Sequence, residues 1–263
     1  MDGGLKAWRD ALEDLGLMGL VPPAPEPEVL RAAAPVEVGT PQAPPATWTP
    51  PTDPLGCPPP EVVAGAESLA DLEARVQACL ACPLGAHRIR FVFGEGDPKA
   101  RLMFIGEGPG RDEDLQGRPF VGRAGELLDK MIGAIGYRRD QVYIANVVKC
   151  RPPDNRTPTP PEAQRCLGYL QRQIELIRPG VIVTLGATPL RELLGVTAGI
   201  TKVRGQWQRL EMLGGIPVMP TFHPAYVLRQ YTQDVRRAVW SDLQTARKWL
   251  DESPPPPQTS AND

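Results

Sequence analysis

This 263-residue chain is short of several things: it has two histidines, five cysteines, 6% aromatic residues and a net charge of only −2. No apolar run approaches the length needed to cross a bilayer, which excludes a helical membrane span. The N-terminus carries acids and lacks a charged-then-apolar leader, so a secretory signal is not expected and the cytoplasm is the default location. Reducing surroundings in turn argue against disulfides. A phosphate-binding G-x-x-x-x-G-K-[ST] loop is also missing, so a bound triphosphate is not expected.

Proline, by contrast, is abundant, with 32 residues crowded largely into positions 21–60 and the C-terminal tail. The sequence divides into a short amphipathic helix over 1–20, a proline-rich linker over 21–65, a folded domain over 66–250 and a disordered tail over 251–263. Leu5, Trp8, Leu12 and Leu15 recur at helical spacing in the first segment, which could dock a protein partner. The charge divides just as unevenly. Residues 66–250 hold 26 basic and 19 acidic side chains, a net of +7, while both flanks are acidic. A basic core of this kind supports attraction to phosphates.

Within the domain, Phe104 to Gly122 reads FIGEGPGRDEDLQGRPFVG. A short apolar run stops at Gly106-Glu107-Gly108-Pro109-Gly110, the pattern of a buried strand opening into a tight loop. Glycine lets backbone approach a ligand closely, and without a lysine the loop suits a planar or neutral group. Four cysteines follow an unusual spacing: Cys79-x2-Cys82, then Cys150 and Cys166, with Cys57 a bystander among prolines. Four thiolates so arranged can hold zinc or an iron–sulfur cluster, or be unrelated thiols. His223 falls at the end of an apolar run and just before Pro224, a helix-starting proline.

Apolar runs at 101–106, 141–148, 180–186 and 216–222 read as buried strands. Helical stretches lie near 68–79, 123–136, 161–178, 187–195 and 233–250, and Thr159-x-x-Glu162 with Pro160 marks a helix start. Strands alternating with helices imply a parallel sheet covered on both faces, with ligands bound beyond the strands' carboxyl ends. Gly106, Asn146 and His223 all sit at such ends. A buried amide inside an apolar strand, as at Asn146, also needs a partner.

GEGPG, EDLQGRPFVG, NVVKCRPPDNR at 146–156 and HPA at 223–225 together resemble the iron–sulfur family 4 uracil-DNA glycosylases, over residues 66–250. The resemblance implies a three-layer α/β/α fold with a central four-stranded parallel sheet, and a [4Fe-4S] cluster held by Cys79, Cys82, Cys150 and Cys166. It implies a monomeric DNA-repair enzyme of the nucleoid that flips uracil out of single- or double-stranded DNA and hydrolyses its glycosidic bond. Phe120 would stack on the flipped ring, Asn146 would read N3–H and O4, and His223 would stabilise charge on O2. Glu113 would crowd the 5-position against thymine. Where the classical uracil-DNA glycosylases carry an aspartate this chain has Gly108, so Glu107 and the backbone near Gly108 are the expected water-positioning groups. Val227 and Leu228 are candidates for the wedge that fills the vacated stack, with Lys149, Arg151, Arg156 and Arg229 on phosphates. A cluster at Cys150 would brace the strand presenting Asn146, four residues away on the same face. The alternative is an iron–sulfur uracil or damage sensor with little turnover.

Overall fold

The computed structural model describes residues 58–253. The expected N-terminal helix, most of the proline-rich linker and most of the tail lie outside the described residues. Six strands form one sheet: β1 (Glu95–Gly96), β2 (Leu102–Gly106), β3 (Tyr143–Asn146), β4 (Val181–Leu185), β5 (Gln208–Leu210) and β6 (Ile216–Thr221). Their order is β1-β3-β2-β4-β6-β5. The four central strands are parallel, as the alternation of strands and helices predicts, while β1 and β5 add antiparallel edges that the sequence reading lacks.

Alternation along the central strands sorts side chains into two cores. Met103, Ile105, Tyr143, Ala145 and Ile182 face one side, covered by the Leu69–Val76 and Pro160–Ile177 helices. Leu102, Phe104, Ile144, Val183 and Met219 face the other, beneath the Arg123–Ala134 and Gln233–Glu252 helices. The Pro160–Ile177 helix starts as its capping signal predicts, with the Thr159 N–H donating to Glu162 at 2.8 Å. Among the described residues no helix is long and apolar enough to cross a membrane.

Two boundaries differ from the sequence reading. The folded domain starts before residue 66, because Pro60–Ala64 is helical and Val63 is buried in the first core. β3 ends at Asn146 rather than 148, so Cys150 lies beyond the strand and the same-face argument linking it to Asn146 does not hold. The chain leaves β2 to build β3 on one side, then crosses to β4 on the other. That reversal opens a crevice outside the carboxyl ends of β2 and β4.

Candidate active site

The crevice floor is Gly106, the last residue of β2. A Cβ there would fall 2.5 Å from Phe120 Cζ and would also overlap Asn146 Oδ1, so only glycine allows both side chains to close over it. Asn146 is 2% exposed, and its Oδ1 is buried without a hydrogen-bond partner among the described residues. A buried, unpaired amide oxygen costs folding free energy of about 1–3 kcal/mol, so this one calls for a partner that the described residues do not supply.

Phe120 closes the second side. Its backbone takes the left-handed conformation (φ 52°), uncommon for a bulky residue, and its ring lies 5.7 Å from the His223 ring. Glu113 holds that loop. Its carboxylate accepts from the N–H groups of Gly110 (3.0 Å), Val121 (3.0 Å) and Gly122 (3.2 Å), clasping the β2 loop to the residues that follow Phe120. Both carboxylate oxygens of Glu113 are thus engaged by backbone amides. Asp114 is buried too, accepting from the amides of Ile89 and Arg90.

His223 closes the third side, at the end of β6. The strand end is pinned by Thr221 Oγ1, which donates to the buried Asp242 at 2.7 Å, and Asp242 in turn pairs with Arg204. Caps fix the imidazole as well. Its Nδ1 accepts the Ala225 N–H at 3.1 Å at the start of the Pro224–Arg229 helix, which puts the proton of the neutral ring on Nε2. Burial, with Arg229 nearby, pushes its pKa down to about 4, so at neutral pH the ring is an uncharged N–H donor.

Glu107 follows Gly106, and its Oε2 accepts the hydroxyl of Thr188 at 2.5 Å, in the first turn of the Ala187–Leu194 helix. Sequence reasoning missed Thr188, since a threonine after Ser/Gly-type turn chemistry reads as an ordinary helix start. Cβ space at Gly108 is taken by Val148 Cγ2 at 2.6 Å.

The four cysteines converge beside this crevice from three separate segments, and all are free thiols. Burial pushes Cys150 up to about 11, Cys166 further and Cys82 upward, and each is raised also by the neighbouring cysteines. Donors surround the sulfurs: Tyr169 Oη to Cys79 (3.1 Å), the Ala81 N–H to Cys79 (3.4 Å), the Lys149 N–H to Cys166 (3.3 Å) and Arg88 to Cys150 (3.5 Å). Among the described residues no three His, Cys, Asp or Glu side chains are grouped as ligands of a single metal ion.

Several expected DNA contacts sit elsewhere. Lys149 is fully buried, with its ammonium bonded to the Asn146 carbonyl and to Gln173, and cannot reach a phosphate. Val227 is 3% exposed and joins Leu127, Met131, Val239 and Leu243 in the second core, so it is not available as a wedge. Leu228 is half-buried and Arg229 exposed. Arg151 bonds Asn155, and Arg156 forms a two-pronged pair with Glu162, leaving part of each guanidinium on the surface.

The family model of the uracil DNA glycosylase superfamily matches residues 93–244, which span the crevice. The chain belongs to this superfamily. Within it, relatives named type-4 uracil-DNA glycosylase are similar over nearly their whole length. One from Thermotoga maritima is 50% identical over 185 residues, covering 70% of this chain and 95% of its own. One from Archaeoglobus fulgidus is 44% identical, covering 67% and 90%, and one from Sulfurisphaera tokodaii 45%, covering 69% and 84%. The matched family region thus takes in Gly106, Phe120, Asn146 and His223, as well as Cys150 and Cys166, while Cys79 and Cys82 lie before it.

Proposed function

We propose that this chain is a uracil-DNA glycosylase that extrudes uracil from DNA and hydrolyses its N-glycosidic bond, leaving an abasic site. The observation that carries the reading is the unpaired Oδ1 of Asn146, buried against Phe120 over the glycine floor. An amide offers an acceptor for uracil N3–H and a donor for O4, and cytosine reverses both. Phe120 supplies a rigid aromatic face for the flipped ring.

Hydrolysis joins a water oxygen to C1′ and breaks the N1–C1′ bond, whose electron pair leaves with the pyrimidine. The neutral Nε2–H of His223 donates to O2 as that charge develops, without first needing a proton from solution. Glu107, oriented by Thr188, and the backbone at Gly108 hold the water, and the carboxylate takes the proton it sheds. Leu228 fills the vacated stack, and Arg151, Arg156 and Arg229 meet phosphates, contacts that set affinity and salt dependence.

Cys79, Cys82, Cys150 and Cys166 would hold a [4Fe-4S] cluster. Four neighbouring thiols from three segments give the all-sulfur donor set that such a cluster takes, and the O–H and N–H donors aimed at Cys79 and Cys166 suit thiolate sulfurs. When bound, such a group supplies a covalent cross-link between distant segments. Its role is structural: Cys150→Ala is expected to lower the melting temperature and lose the brown colour before it changes the chemical step, and normal melting of that variant would count against it.

Release of free base from a uracil-containing oligonucleotide by the full-length protein, with His223→Ala as control, tests the reading. Release that drops sharply in the variant supports it. Tight uracil-DNA binding without release would make the protein a sensor instead.

A further inference from the structure

The ammonium of Lys149 has no role in the chemistry above, yet it is one of the largest fully buried side chains in the domain. Burying a charge is costly unless every side of it is paired, so the arrangement around it calls for a reason. Nζ donates to the Asn146 carbonyl at 2.9 Å and to Gln173 Oε1 at 2.6 Å. Gln173 is itself tied down, its Nε2 donating to the Phe93 carbonyl at 3.0 Å and to Tyr143 Oη at 3.3 Å. The backbone of Lys149 is held on both sides: its N–H donates to Cys166 Sγ, and its carbonyl accepts from Val92 at 2.9 Å.

Cys166 and Gln173 are seven residues apart on the Pro160–Ile177 helix, two turns along one face. That single face therefore grips Lys149 twice, by its amide and by its ammonium. The β2–β3 ladder ends at the Gly106–Asn146 pair, the N–H groups of Val147 and Val148 still bond the Gly106 and Glu107 carbonyls at 2.9 and 3.1 Å, and the chain then bends away towards Cys150. With Oδ1 unpaired, the aim of the Asn146 side chain depends on its backbone: the sheet bonds tie it to β2, and Lys149 holds its carbonyl from the side of the Pro160–Ile177 helix.

We propose that Lys149 is a positioning residue for base reading: a buried strut that locks the Asn146 carbonyl to the helix carrying Cys166 and Gln173. The inference rests on the reading that Asn146 recognises the base. It assigns to one side chain the mechanical link between the cysteine-bearing helix and the recognition amide.

A double-mutant cycle on single-turnover uracil release by the full-length holoprotein tests it, using Lys149→Met, Asn146→Ala and the pair. Lys149→Met is expected to slow release about tenfold or more while cluster absorbance and cooperative melting persist, and to add less than about threefold in the Asn146→Ala background. A purely structural lysine would move the melting temperature alone. A full rate in Lys149→Met, or losses that multiply in the pair, overturns the strut. Should Lys149→Met fail to fold or to keep its cluster, Gln173→Leu, which frees the far end of the ammonium, replaces it in the cycle under the same criteria. A full rate in Asn146→Ala alone overturns the reading of Asn146, and the strut with it.

Discussion

The neutrality of His223 can be measured directly. Its pKa is pushed from an ordinary 6.5 down to about 4 by burial and by Arg229, so the folded state resists protonation while the unfolded state accepts it. Stability from this group is complete above the unfolded value and is lost as pH falls towards the folded one. Between pH 7 and pH 4.5 the loss amounts to about 2.5 kcal/mol: the unfolded ring titrates across the roughly 2 units from 6.5 down to 4.5 at about 1.36 kcal/mol each, less a few tenths for its protonation at pH 7 and that of the folded ring at pH 4.5. His223→Asn keeps a side-chain cap for the Ala225 N–H and removes the titration. Urea unfolding of both proteins at the two pH values isolates the histidine contribution, because acid effects on the thiols and on every carboxylate are common to both. The wild type is expected to lose about 2.5 kcal/mol more than the variant on acidification. Single-turnover release by the wild type should show no ionisation near 6.5 in its acid limb. Equal acid losses in the two proteins, together with a rate that falls tenfold per unit below about pH 6.5, would refute a neutral His223.

Two further outcomes follow from the crevice walls. Gly106→Ala drives a methyl against Phe120 Cζ and Asn146 Oδ1, which should cost about 1–3 kcal/mol of stability and, by displacing both side chains, about 100-fold in release rate; a rate within threefold of wild type would mean the floor is not where the base sits. Glu113→Gln leaves one oxygen to accept on one side of the clasp and turns an NH₂ towards an N–H donor on the other, costing about 1–3 kcal/mol. Uracil release should slow without any gain of thymine release from a thymine-containing oligonucleotide, and thymine release by the variant would reinstate Glu113 as the group that crowds the 5-position.

Much of the site was legible because it sits where local patterns end. Gly106, Asn146 and His223 each close an apolar run, and a parallel sheet brings such ends to one side without further information. Residues whose role depends on depth were misread. Lys149 follows a strand in a basic, proline-broken stretch and looks like a surface cation, but β3 stops three residues earlier and the chain dives beneath the Pro160–Ile177 helix. Glu113, expected at the 5-position of the base, sits on a short helix that turns its carboxylate onto three backbone amides, and its neighbour Asp114 is turned inward onto two more. Val227 seemed free to wedge into DNA, but its position in the Pro224–Arg229 helix points it into the core. The edge strands β1 and β5, two and three residues long, are too short to carry a period.

By itself, then, the order of apolar runs, glycines and caps determined a parallel α/β sheet, its crevice and three of the groups lining it, because strand period and backbone freedom are local properties. The tertiary structure alone decided which polar side chains are buried and paired: the clasp of Glu113, the tautomer of His223, the strut at Lys149 and the meeting of four cysteines from distant segments. Those depend on which surfaces pack together, and burial changes the energy of a charge or a thiol far more than any neighbour in sequence does.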